Sequence, residues 1–243
     1  MRQTDHTAIV LRYANYRDND RMLTLFSPTR GRIEALARGC RKPRSPLLAA
    51  SELFSLGEYE VYERGNHLTV INAALTETFY PLRLDYDRLT AGTYLLGICE
   101  ATVQSGEPDQ ELFMLLLHTL SRLTFTDQEC QPLLSGFLLH YAACEGFKPR
   151  LAHCVRCGER LSDAGSLYFD SAEGGLCCHA CHTPGQTSVS QAQARWMREM
   201  LQKGSASWVN TPECHAPYAL LRSYVESRLG RRVKSGAFER PLF

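Results

Sequence analysis

The sequence predicts an α+β multidomain protein: an N-terminal β-barrel, a C-terminal helical domain, and a zinc-ribbon-like module inserted into the helical domain. Three observations predict it. Short apolar segments of strand period fill the chain up to Tyr80, helical periodicity takes over after Pro81, and four cysteines stand as Cys154-x2-Cys157 and Cys178-x2-Cys181. The expected boundaries are a barrel over 1–80, a first helical part over 81–150, the cysteine module over 151–186 and a second helical part over 187–243.

Five segments read as strands: Thr7–Tyr13, Met22–Phe26, Arg32–Ala37, Leu53–Tyr62 and Leu68–Leu75, each β-rich and largely alternating. Between them lie Asn15–Asp20, Ser27–Gly31, Gly39–Pro46 and Arg64-Gly-Asn66, which carry the Gly, Pro, Asn and Asp of turns. So many short strands in so small a unit suggest a barrel, which closes its own edges. Three apolar helical faces follow: Leu89 to Val103, Leu112 to Leu123, and Leu133 to Ala142, expected to pack as a bundle. Cys99 and Cys144 fall at positions suited to packing in it. Beyond the cysteine module, Ser190 can cap a helix reaching Lys203, and Pro217 to Gly230 makes another that ends at its glycine.

The cysteine spacing is what a closed tetrahedral zinc site requires, because each Cys-x2-Cys turn aims two thiolates at one point. Two such turns complete the shell and leave no position for a substrate, so the expected role of one Zn2+ ion is structural. Cys177, His179 and His182 could each replace a thiolate. Cys178 is preferred over Cys177 because it restores the two-residue gap. The chain holds ten cysteines, but Met1 to His6 is polar and lacks the apolar core of a secretion signal, so a reducing cytoplasm is expected over a disulfide framework. No apolar run approaches the ~20 residues of a membrane-spanning helix, and no membrane partner is expected.

Net charge is +1, which hides a segregation along the chain. From Arg12 to Arg44 nine basic residues face three acids, whereas from there to Tyr80 only Arg64 opposes Glu52, Glu58, Glu60, Glu63 and Glu77. Arg222, Arg228, Arg231, Arg232, Lys234 and Arg240 form a second basic cluster, for which scattered solvated charge is the commoner explanation.

These residues resemble the RecO family of DNA repair proteins over essentially the whole chain. The marks are Arg21-Met-Leu-Thr-Leu-Phe-Ser-Pro-Thr-Arg-Gly31, Ala37-Arg-Gly-Cys-Arg-Lys42, Phe147-Lys-Pro149 running into the first cysteine pair, Gly174-Gly175 before the second, and Leu221–Gly230 followed by Lys234-Ser235. One departure is Cys177, where an apolar residue is expected. The resemblance implies an OB-fold barrel and a zinc module within the helical domain. It also implies a recombination mediator that binds single- and double-stranded DNA and anneals complementary strands. With RecR and the C-terminal tail of the single-stranded DNA-binding protein, such a mediator helps load the recombinase RecA, in the cytoplasm at the nucleoid.

An OB barrel binds a single strand with a positive groove and aromatic platforms. The candidates here are Arg12, Arg17, Arg30, Arg32, Arg38, Arg41, Lys42 and Arg44, with Tyr13 and Tyr16 as possible stacking platforms. Guanidinium groups favour phosphate because the planar fork donates two charge-assisted hydrogen bonds. The stretch Arg38-Gly-Cys-Arg-Lys-Pro-Arg44 is the sharpest candidate, expected to face solvent throughout, with Cys40 as a loop thiol whose thiolate its cationic neighbours favour. Arg21 is expected to pair with Asp18 or Asp20 at the surface. No metalloprotease, phosphate-loop, nucleophile-elbow or deaminase motif is present, and His6, His67, His118, His140, His153 and His215 are dispersed, so no enzyme activity is expected. The alternative is a protein adaptor whose helical domain docks partners and whose DNA contact is incidental.

Overall fold

A computed structural model describes residues 2–65, 67–161, 165–203 and 216–233. Asn66 of a predicted turn, His215, and Lys234, Ser235 and Arg240 of the C-terminal reading lie outside the described residues. Strands β1 (Arg2–Tyr16), β2 (Asp20–Ser27), β3 (Gly31–Ala37), β4 (Leu56–Arg64) and β5 (His67–Glu77) form a closed barrel in the order β1-β2-β3-β5-β4. Every pairing is antiparallel except β3 with β5, which is parallel and spans Ala35–Leu68, Leu36–Thr69 and Ala37–Val70. This is the Greek-key closure of an OB-fold. All five predicted strands are present, most of them longer than their apolar patterns. Pairing runs on through polar residues such as Arg2 to His6, which face Tyr59 to Glu63 of β4. Alternation marks only the buried stretch of a strand.

The barrel interior is filled by Ala8, Val10, Leu23, Leu25, Ile33, Ala35, Tyr59, Val61 and Val70. Ile9 and Phe26, on the opposite faces of β1 and β2, are equally buried. Helix α1 (Tyr86–Thr102) packs on both strands, and Phe26 meets Phe113 of α2 (Gln110–Phe125) edge to face at 5.3 Å. Double coverage explains why Ala8–Leu11 reads as an unbroken apolar run rather than as alternation, and why Leu25 and Phe26 are apolar side by side. Asp85 starts α1 by accepting a hydrogen bond from the Arg88 N–H.

The β2–β3 hairpin is latched to the α1–α2 connection. Arg32 N–H donates to the Gln104 carbonyl and Gly106 N–H to the Arg30 carbonyl, both at 3.0 Å. Gly31 sits between them at φ +66°, and a Cβ there would lie 2.2 Å from the Gln104 oxygen. Only glycine satisfies both the backbone angle and the close approach.

The chain to Thr124, with Val233, forms one compact unit, and Phe125–Arg232 forms a second. The three predicted helical faces are therefore divided: α1 and α2 belong with the barrel. In the second unit α3 (Cys130–Cys144) packs on α4 (Gln191–Lys203) and α5 (Tyr218–Leu229). A three-stranded sheet of β6 (Leu167–Asp170), β7 (Gly175–Cys178) and β8 (Thr187–Val189) runs in the order β7-β6-β8. Ser190 caps α4 in a reciprocal box with Gln193, and Gly230 ends α5 in the left-handed conformation at φ +65°. Phe137, Tyr141, Phe147, Tyr224 and Phe169 form a continuous chain of rings from α3 through α5 to β6, with centroids 5.1 to 6.1 Å apart. Cys99 is buried as expected, but Cys144 is exposed: it ends α3, beyond Ala142, the last buried position of that helix. Among the described residues no helix is long and apolar enough to cross a membrane.

Gly31→Ala is expected to destabilise the first unit by about 2 kcal/mol or more, since it combines positive φ with a backbone collision. Gly65→Ala, at φ +60° with nothing nearby, carries the angle cost alone. Chemical denaturation of the two variants measures the latch as the difference between them.

Candidate nucleic-acid interface and metal centre

The eight predicted cations separate into three groups. Arg17, Arg38, Arg41, Lys42 and Arg44 gather at one end of the barrel, on the β1–β2 turn and the loop that leaves β3. Pairing of Arg21 with Ala37 puts those two connections side by side, and hydrogen bonds join them. Arg41 N–H donates to the Asn19 carbonyl and Arg41 Nη1 to the Asp18 carbonyl, both at 3.0 Å, while Gly39 N–H donates to the Asp20 carboxylate at 2.7 Å. All five cations are exposed.

The loop does not face solvent throughout. Cys40 is fully buried in the barrel core with Leu47 and Ala50, so the expectation of an exposed thiol is corrected. The reason is packing: Cys40 and Leu47 plug the barrel end, and the charged residues between and beside them are turned outward. Arg17 adopts φ +54° and lies over the Tyr16 ring at 5.3 Å, and Tyr16 is 42% exposed. Tyr13 is covered instead. The Arg21 guanidinium stacks on it at 3.9 Å and bonds Glu52 at 2.7 Å and the Ser51 carbonyl at 2.9 Å. Arg21 is thus a half-buried packing residue that pairs with Glu52, not with Asp18 or Asp20.

Arg12 and Arg32 form the second group, on the barrel wall. Glu100 of α1 meets Arg12 at 2.7 Å and Arg32 at 3.8 Å, and Glu34 meets Arg32 at 2.8 Å. Glu34 also accepts from the Thr24 hydroxyl. Sequence reading missed Glu100 as a partner because nothing local relates position 100 to position 12. Arg30 stands apart, at the tip of the β2–β3 hairpin, with Nη1 3.5 Å from His6. That tip lies at the far end of β2 from the cationic loops.

In the second unit the two cysteine turns converge. The segment Arg150–Val155 is laid along β7 by three hydrogen bonds: Arg150 N–H to the Gly174 carbonyl, Leu176 N–H to the Arg150 carbonyl, and Val155 N–H to the Leu176 carbonyl, each at 2.9 Å. Gly175 permits this, since a Cβ there would stand 2.3 Å from the Arg150 oxygen. The Sγ atoms of Cys154, Cys157, Cys178 and Cys181 all lie within 4.8 Å of one another. A tetrahedral site with Zn–S near 2.3 Å has sulfur–sulfur edges of about 3.8 Å. Cys157 and Cys178 stand 3.8 Å apart, so the donor set fits a metal ion.

Cys177 lies outside that foursome: its sulfur is 4.0 Å from Cys154, and its thiol donates to the Cys178 carbonyl at 3.5 Å. Burial opposes the Cys154 thiolate, but the N–H groups of Cys157, Cys178 and Arg156 outweigh it and lower the pKa to about 6. Burial pushes Cys177 up to about 11. The two neighbours are a thiolate donor and a protonated thiol.

A lock behind the first cysteine turn escaped sequence reading. Arg156 donates to Asp170 through Nε at 3.1 Å and Nη2 at 2.8 Å, and Asp170 also accepts from Gln186 at 2.7 Å and from the N–H groups of Ala172 and Glu173 at 3.1 Å. Arg228 holds the same turn by donating to the carbonyls of Ser171 and Ala172, and Arg222 pairs with Glu226. These two C-terminal cations have structural partners.

The model of the recombination protein O N terminal matches residues 1–79, and that of the recombination protein O C terminal matches residues 83–237. The chain belongs to the RecO family. DNA repair protein RecO of Alkaliphilus metalliredigens is 38% identical over 173 residues, covering 71% of this chain and 70% of its own. The RecO protein of Desulforamulus reducens is 32% identical over 246 residues, 97% and 93% of the two chains, and that of Symbiobacterium thermophilum 30% over 238 residues, 95% and 94%. RecO membership thus spans both the barrel and the cysteine-bearing unit.

Asp170→Asn is expected to cost about 2 kcal/mol at neutral pH, because a buried charged acceptor is replaced by a neutral amide with one acceptor oxygen fewer. Burial alone would raise the Asp170 pKa, but Arg156 and the Glu173 and Ala172 amides hold it below the ordinary carboxyl range. Its contribution is therefore complete above pH ~4 and is lost as pH falls through the depressed folded value. Denaturation curves of wild type and variant should converge in acid.

Proposed function

We propose that this RecO-family chain is a recombination mediator that holds DNA at the cationic end of its barrel. On this reading it binds single- and double-stranded DNA, anneals complementary strands and, with RecR, helps load RecA onto strands coated by the single-stranded DNA-binding protein, whose C-terminal tail it also binds. It works in the cytoplasm, at the nucleoid. The observation that carries the reading is the set of five exposed cations on two loops joined by hydrogen bonds, beside the exposed ring of Tyr16. Phosphates neutralised on two strands at once repel less, local strand concentration rises, and base pairing supplies the driving free energy. No catalytic residue is required.

Cys154, Cys157, Cys178 and Cys181 would hold one structural Zn2+ ion. Four thiolates close the shell, so the metal supplies cross-linking rather than chemistry. A small module has too little core to fold alone, and its order depends on that link.

Alanine at Arg17, Arg38, Lys42 and Arg44 should lower the salt slope of single-strand binding by about 3, at ~0.7 per phosphate contact. Alanine at Arg12 and Arg32, which Glu100 and Glu34 already pair, should change it little. Binding by fluorescence anisotropy across a salt series separates the two, and unchanged annealing by the fourfold variant would favour the adaptor reading. Stoichiometric chelation should abolish the fold of the cysteine module, followed by circular dichroism, while the barrel keeps its DNA affinity.

A further inference from the structure

Among the described residues five cysteines, not four, surround the candidate metal centre, and the fifth has a partner of its own. Cys177 and Cys154 are both buried, at 0% and 3% exposure, and their sulfurs are 4.0 Å apart. That is close to the 3.8 Å separating Cys157 from Cys178 within the foursome. Disulfide formation needs the two sulfurs to close to about 2.05 Å. One sulfur of the pair belongs to the donor set and the other does not. Cys157, by contrast, is exposed.

We propose that Cys154 and Cys177 form a disulfide that takes Cys154 out of the metal shell, with exposed Cys157 as the point where a peroxide oxidant enters. The inference rests on the metal reading of the four cysteines. In the first step the peroxide O–O bond breaks, one oxygen passes to the Cys157 thiolate, and the other leaves as water, giving a sulfenic acid. Cys154 attacks that sulfur, the S–O bond breaks, a second water leaves, and a Cys154–Cys157 disulfide forms. Cys177 then attacks Cys154 Sγ, and Cys157 departs as thiolate and takes up the proton that Cys177 gave. Two thiols have been oxidised by two electrons and one peroxide reduced to two waters. The oxidation has moved from an exposed sulfur to a buried pair. With Cys154 removed the four-sulfur shell is broken, and the ion is free to leave.

The experiment uses the full-length metal-loaded protein. Metal content is measured first, then one equivalent of hydrogen peroxide is added while a chromophoric chelator follows release and mass spectrometry maps disulfides. Trypsin cuts after Arg156 and separates Cys154 from Cys157, and tandem fragmentation distinguishes Cys177 from Cys178. The expected result is one Cys154–Cys177 link per ion released, both reversed by dithiothreitol and zinc. Cys177→Val, suited to a buried strand, should keep its metal before oxidation, lack the Cys154–Cys177 link and stop at a Cys154–Cys157 link. Cys177→Ser serves if the valine variant does not fold. Recovery of Cys177 as a free thiol after full metal release, or a Cys154–Cys157 link that persists in the wild type, overturns the proposal. Failure of the metal reading would appear separately, as absent metal in untreated protein, with the mapping still reporting whether Cys154 and Cys177 pair.

Discussion

Closure of the barrel depends on a parallel seam of three residue pairs between β3 and β5. Parallel neighbours cannot be joined by a tight turn, so the chain must cross from the end of β3 to β4 and come back. It does so over the open end of the barrel, where Cys40, Leu47 and Ala50 turn inward and the Tyr59 hydroxyl donates to the Ala50 carbonyl at 2.8 Å. The cations Arg38, Arg41, Lys42 and Arg44 are left outside this plug. The cationic end is therefore a by-product of sealing the core. Its position is fixed by apolar packing, not by attraction between charges.

The second unit is ordered by different means. Its sheet has three short strands, and what substitutes for a large core is the chain of rings from Phe137 to Phe169 together with the lock of Arg156 on Asp170. Ring pairs of this kind contribute about 0.5–1.5 kcal/mol each beyond their burial. Tyr224 is the hinge of that set. Its ring packs on Phe147 and Phe169, its hydroxyl donates to the Phe147 carbonyl at 2.7 Å, and Arg228 lies over its face. The cysteine turns and α5 are thus mechanically continuous, and disturbance of one reaches the other.

Much of this was legible in the sequence because it is written in local pattern. The five strands, the caps of α4 and α5 and the paired cysteines all follow from period, spacing and turn chemistry. What was not legible depends on contacts between distant residues. Cys40 sits between cations and reads as solvated, yet barrel closure buries it. Arg12 and Arg32 read as free, yet α1 brings Glu100 to both. Arg21 lies beside two aspartates in sequence, but strand direction turns it toward Glu52 and the Tyr13 ring. Spacing did rank Cys178 above Cys177 as a donor, and Cys178 is the one in the foursome; what spacing could not show is that Cys177 points into the core beside Cys154.

Acids on β1 and β4 are set apart from the cationic loops. Asp5 and Glu60 face each other across the two strands, with Glu58 two residues away in β4, some ten residues along β1 from Tyr16. The net charge of +1 is therefore a sum over separated patches, not a uniform neutrality. Potential at a surface follows the nearest charges, so the loops present a positive face that the sum conceals.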